Sequence, residues 1–156
     1  MKRSIIIASL FLISSSLLAQ SNTEEIDLVQ SVFGMEKKAV VGEFIKLEGA
    51  KSDTFWKLYD EYEVGRKELG KKRIALLNKY AETYLDMTDQ TTDEMLKEMM
   101  SLQSGNDKLI ASYANKIKKA VDIKTAAQFY QIEGYILSKI RVEILENIPV
   151  IGSIEK

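Results

Sequence analysis

The chain has 156 residues, 22 basic against 23 acidic, with neither cysteine nor histidine. Lack of cysteine removes disulfides, thiolate nucleophiles and thiolate metal sites; lack of histidine removes the commonest general base and transition-metal ligand, so triad hydrolases and the usual zinc sites are excluded. A slightly acidic balance without a basic block argues against nucleic acid as a partner, since such binding rests on phosphate neutralisation.

The N-terminus reads as an export signal over residues 1–19. Met1, Lys2 and Arg3 form a positive end, Ile5 to Leu18 is apolar apart from a few serines, and the small Ala19 precedes Gln20. That order suits cleavage, and the apolar stretch is short of the roughly 20 residues a bilayer span needs. A lipid-modified N-terminus of the bacterial type needs a cysteine at the cut. The expected product, residues 20–156, is therefore a single periplasmic domain free in solution. No later stretch is long and apolar enough to cross a membrane.

Apolar residues beyond the signal recur at spacings of three and four, the helical period, and four helices are expected. The first covers about 23–46. Thr23 caps it, Glu24, Glu25 and Asp27 favour its dipole, and Ile26, Val29, Val32 or Phe33, Val40, Phe44 and Leu47 form its stripe. Gly34 and Gly42 weaken it and suggest a bend or a shorter helix. The second covers about 52–84. Phe55, Tyr59, Tyr62, Leu69, Leu76 and Tyr80 lie on one seam, with Trp56, Ile74, Leu77, Ala81 and Tyr84 beside it. Two adjacent stripes suit a helix packed on two neighbours. At about 1.5 Å per residue it is close to 50 Å long, so the molecule is expected to be elongated.

The third helix is expected over 92–121, with Thr91 and Glu94 as a capping box. Its buried face is Met95, Met99, Leu102, Leu109, Tyr113 and Ile117. Ser104 to Asp107 has turn chemistry, yet the seam keeps phase across it, which favours one helix. The fourth covers about 123–147, started by Asp122 and stopped by Pro149, with the stripe Phe129, Ile132, Ile136, Ile140 and Ile144. Residues from Gly152 onward are expected to fray. Short connections imply antiparallel neighbours, so the fold class is all-α, an elongated antiparallel bundle of about four helices.

The strings FWKLYDEYEVGRKELGKKRIALLNKYAETY, KLIASYANKIKKAVDIKTAAQFYQIE and ILENIPVIG resemble an uncharacterised family of exported bacterial helical proteins. The resemblance covers about residues 28–152. The layout is also distantly similar to the Spy/CpxP-like periplasmic proteins, which are marked by Leu-Thr-x-x-Gln at helix starts. The matching places here read Leu47-Glu48-Gly49-Ala50-Lys51 and Met87-Thr88-Asp89-Gln90-Thr91, without the full motif. This resemblance implies a thin helical cradle, often a homodimer, that binds unfolded protein or a sensor's outer domain during envelope stress.

Eight residues are candidates for a binding or interface surface: Trp56, Tyr59, Tyr62, Arg66, Arg73, Tyr80, Met95 and Met99. Arg66 and Arg73 share the apolar seam, where a charge is costly unless paired. Either they make a polar contact at a dimer seam or groove, with Asp60 or Glu63, or they snorkel to water over apolar stems. The aromatic residues suit an adaptable binding face and equally suit a core. Met95, Met99 and Met100 could be a thin soft-metal site, though flexible packing is the simpler account. Asp60, Glu61, Glu63, Asp93 and Glu94 lie among basic residues, as intrahelical ion pairs do. The pairs Lys37-Lys38, Lys71-Lys72 and Lys118-Lys119 read as solvated faces.

These readings converge on a non-enzymatic binding protein, with no catalytic residue, metal or cofactor assigned. Its expected partner is a protein client, shielded in the manner of an ATP-independent chaperone. Two alternatives stand beside it: a signalling accessory docked on a membrane sensor's outer domain, and a metal-sequestering protein.

Overall fold

The computed structural model describes residues 33–152. The export signal, the Thr23 cap, Ile26, Val29 and Val32, and the tail from residue 153 lie outside the described residues.

The protein is all-α. Helix α1 is helical over 33–44 within the described residues, unbroken at Gly34 and Gly42, and ends two residues before the expected Lys46. Four residues, Ile45 to Glu48, carry the chain into helix α2, Gly49–Thr83. Gly49 takes φ 56°, a left-handed corner that a side chain would strain. The helix therefore starts three residues before the expected Ser52. A short 3-10 turn, Tyr84–Asp86, leads into helix α3, Asp89–Ala120. Helix α4 spans Ile123–Asn147.

The N-terminus of α3 corrects the expected cap. Thr88, not Thr91, is the cap: its hydroxyl accepts from the Thr91 N–H at 3.2 Å, and its own N–H donates to the Thr91 hydroxyl at 2.8 Å. This reciprocal pair adds a turn to the helix and satisfies two terminal donors. Glu94 is left to accept from Gln90 at 3.2 Å and from Lys79 of α2 at 3.4 Å. The Ser104–Asp107 stretch stays helical throughout. Asp122 caps α4 by accepting from the Thr125 N–H at 2.8 Å, and Pro149 follows the last turn.

Cross-helix partners fix the directions. Lys37 meets Glu63 and Lys38 meets Asp60, so α1 runs against α2. On α2 and α3, Gly65 lies under Leu109, Gly105 lies under Leu69, and Lys79 reaches Glu94. A Cβ on Gly65 would stand 3.0 Å from Leu109, and one on Gly105 would stand 3.1 Å from Leu69. Each glycine is the hole for the other helix's leucine, so the hairpin closes more tightly than larger residues allow.

The apolar residues segregate into two clusters. One, at the end where α1 covers the bundle, holds Val41, Phe55, Tyr59, Tyr62, Ile110, Ile117 and Phe129. The other, at the α2–α3 turn, holds Leu76, Tyr80, Met95 and Leu102, with Ile148 packed on it from beyond α4. The Tyr80 hydroxyl donates to the Pro149 carbonyl at 2.7 Å and ties that end of the chain down. Among the described residues no helix is long and apolar enough to cross a membrane.

Candidate functional site

The larger cluster contains an ion-pair network. Lys37 of α1 is 4 % exposed, where the Lys37-Lys38 pair was expected on a solvated face. Its ammonium pairs with Glu63 of α2 and, at 2.9 Å, with Glu133 of α4, itself 2 % exposed. Glu63 also accepts from Arg66 Nε at 2.8 Å. The two carboxylates balance the two cations. Glu133 further accepts from the Tyr62 hydroxyl at 2.6 Å and the Tyr59 hydroxyl at 3.2 Å. The Lys37 ammonium lies 4.8 Å from the Tyr62 ring centre, adding attraction by the ring face.

A buried carboxylate is tolerable when hydrogen bonds and a counter-ion replace its water. Glu133 has both. Burial, and then the Glu133 charge, push the Tyr59 and Tyr62 phenols well above their ordinary value of 10.0. These phenols therefore act as fixed donors and not as acids. The surrounding rings lock them in place: Tyr62 stands edge-on to Phe129 at 5.1 Å and to Tyr113 at 5.7 Å.

The eight candidate residues thus divide. Tyr59, Tyr62, Tyr80 and Met95 are buried, so they are core and offer no free surface. Trp56 is half-buried, packed at the edge of the core with Lys38 over its ring at 5.3 Å. Of its two readings, Arg66 takes the polar contact, with Glu63 and not Asp60, and also lies against the Phe33 ring at 5.0 Å. Arg73, a half-buried residue, lines a small cleft further along α2. Met99 alone points outward, 41 % exposed, beside Met100 at 64 %. With Met95 inside and the other two outside, the three thioethers do not converge, and no carboxylate cluster of metal-binding form occurs among the described residues.

Of the carboxylates singled out above, Asp60, Glu63, Asp93 and Glu94 are engaged. Glu63 and Arg66, and Asp93 and Lys97, form the expected intrahelical pairs, whereas Asp60 with Lys38 and Glu94 with Lys79 join different helices.

Sequence reasoning missed Glu133, and of the expected α4 stripe only Phe129 and Ile132 are buried. The buried residues are Thr125, Ala126, Phe129, Ile132, Glu133 and Leu137, and Ile136, Ile140 and Ile144 are only half-buried. The available signal was the spacing of Phe129, Glu133 and Leu137, a straight run at four.

Exposed apolar side chains gather elsewhere. Leu96, Met99 and Met100 share the outer face of α3 near the hairpin turn, where Leu85 is also exposed. Asp93, Lys97 and Glu98 stand around them on the same stretch of helix. No family model, curated protein or solved structure was found to match the chain.

Proposed function

We propose that the protein is a non-enzymatic binding protein of the bacterial periplasm that shields apolar segments of other proteins without using ATP. The observation that carries this reading is the exposed patch of Leu96, Met99 and Met100, bordered by charge. Residues at three and four on one helix present a continuous apolar strip, and unbranched methionines adapt to varied partners at little cost. Exposed apolar surface of this kind marks interaction sites more often than chance scatter. The export-signal pattern of Met1 to Ala19 supports the compartment, and the likeness to Spy/CpxP-like proteins supports the activity. Binding on an open strip is weak and reversible, as suits a compartment without ATP.

The test is light scattering from an aggregating client at rising ratios of the protein. Suppression is expected, and the Leu96→Ser/Met99→Ser/Met100→Ser variant is expected to need several-fold more protein for the same effect. No suppression at several-fold excess contradicts the proposal. So does full activity of the triple variant.

A further inference from the structure

We propose that the end of the bundle at the α3–α4 corner docks on an anionic lipid surface, peripherally and reversibly, with the molecule standing end-on. This surface lies at the opposite end of α3 from the strip of Leu96, Met99 and Met100, and it does not depend on what that strip binds.

Charge is unevenly spread along the bundle. The last turns of α3 and the first turn of α4 carry Lys116, Lys118, Lys119 and Lys124, all exposed. None of the four is ion-paired with a carboxylate among the described residues. Asp122, the carboxylate within the corner, is engaged twice: it caps α4 and accepts from Lys51 of α2 at 2.8 Å. Near the start of α2, Glu43 pairs with Lys46 at 3.3 Å, and Glu48 and Asp53 stand in the same stretch as Lys57. Lysine is therefore in excess at this end. The far end is the reverse. Around the α2–α3 turn, Glu82, Asp86, Asp89, Asp93, Glu94 and Glu98 outnumber Lys79 and Lys97.

An apolar face opens beside the lysines. Ile123, Ala127 and Tyr130 follow one another at four and three along α4, and all are exposed, Ile123 at 63 % and Tyr130 at 55 %. That spacing puts them on one side of the helix. An aliphatic tip, a phenol and a collar of lysines match the boundary between lipid headgroups and acyl chains. The apolar groups enter, the hydroxyl stays at the polar level, and the ammonium groups reach the phosphates. A soluble polyanion would use the lysines and leave Ile123 in water. Helix α3 has 32 residues, close to 50 Å at about 1.5 Å each. The screening length at physiological salt is about 8 Å. Standing end-on keeps the acidic end beyond the reach of the lipid charge, whereas lying flat would press it against that charge.

Co-sedimentation with vesicles of phosphatidylglycerol in phosphatidylcholine, set against phosphatidylcholine alone, tests the docking. Binding is expected to the first only, and it should fall as salt rises. Lys118→Gln/Lys119→Gln/Lys124→Gln should weaken it by on the order of tenfold or more. Ile123→Ser should weaken it several-fold, whereas Lys72→Gln, at an exposed position on α2, keeps it. A polarity-sensitive fluorophore on Ile123→Cys should respond to the anionic vesicles, and one on Met100→Cys should not. No binding to anionic vesicles overturns the proposal, even if soluble polyglutamate binds. Equal binding to neutral vesicles, or undiminished binding by the triple lysine variant, overturns it too. A response at position 100 in place of 123 would do the same and move the lipid contact to the α3 strip.

Discussion

Lys37 and Glu133 are 96 positions apart, yet each keeps the other tolerable in the core. Taking either charge out of water costs several kcal/mol, and their pairing, with Glu63, Arg66 and two phenols, returns most of it. Glu133→Ala is therefore expected to cost about 3–5 kcal/mol in chemical denaturation, because an ammonium loses one of its two carboxylates and two hydroxyls lose their acceptor. The fourfold variant Lys37→Met, Glu133→Leu, Tyr59→Phe and Tyr62→Phe is expected to recover most of that loss, since no polar group is then stranded. A fourfold variant as unstable as Glu133→Ala counts against the network as drawn. The phenols give a pH signature. Their folded pKa values are raised, so the stability from neutral Tyr59 and Tyr62 is complete below the ordinary value of 10.0 and is lost as pH rises above it. Two of the seven tyrosines should then resist ionisation, by tyrosinate absorbance, until the helices melt. At this scale the sequence offered Arg66 with Glu63 as one of several readings, because a spacing of three puts them on one helix face. It hid Lys37 with Glu133, because nothing local distinguishes a paired lysine from a solvated one.

Helix α4 was legible because its signals agree: Asp122 to open it, apolar residues at helical spacing, and Pro149 beyond its end. Its inward face was less legible. Drawing the stripe through the isoleucines caught Phe129 and Ile132 and set aside the charged Glu133, and Leu137 four residues after it. Helix α3 had two threonines three apart, Thr88 and Thr91, each able to start it. The reading through Thr91 and Glu94 had a better sequence signature, but Lys79 on the neighbouring helix takes up Glu94. Thr88→Ala should lower stability by about 1 kcal/mol, as loss of an N-cap does, in thermal or chemical unfolding. An effect near zero would return the start of the helix to Thr91. The tight approach of α2 and α3 at Gly65 and Gly105 was not readable either, since a glycine inside a helical pattern signals weakness before it signals a hole.

The whole molecule places its aromatic seam inside and a different apolar strip outside. An amphipathic pattern states that a face is covered, and it does not state by what. The seam of Tyr59, Tyr62 and Tyr80 is covered by the chain's own helices. The strip of Leu96, Met99 and Met100 has no such cover among the described residues. The all-α architecture followed from periodicity, whereas the identity of the open face needed the three-dimensional arrangement. On the proposed function, partners meet the outer strip of α3. Because the chain has no cysteine, a single introduced thiol reports one position. Thiol labelling of Met100→Cys and of Tyr130→Cys, an exposed site on α4, should be measured with and without an unfolded client. Slowed labelling at position 100 with an unchanged rate at position 130 is the expected result. Equal protection at both, or protection at 130 alone, would contradict it.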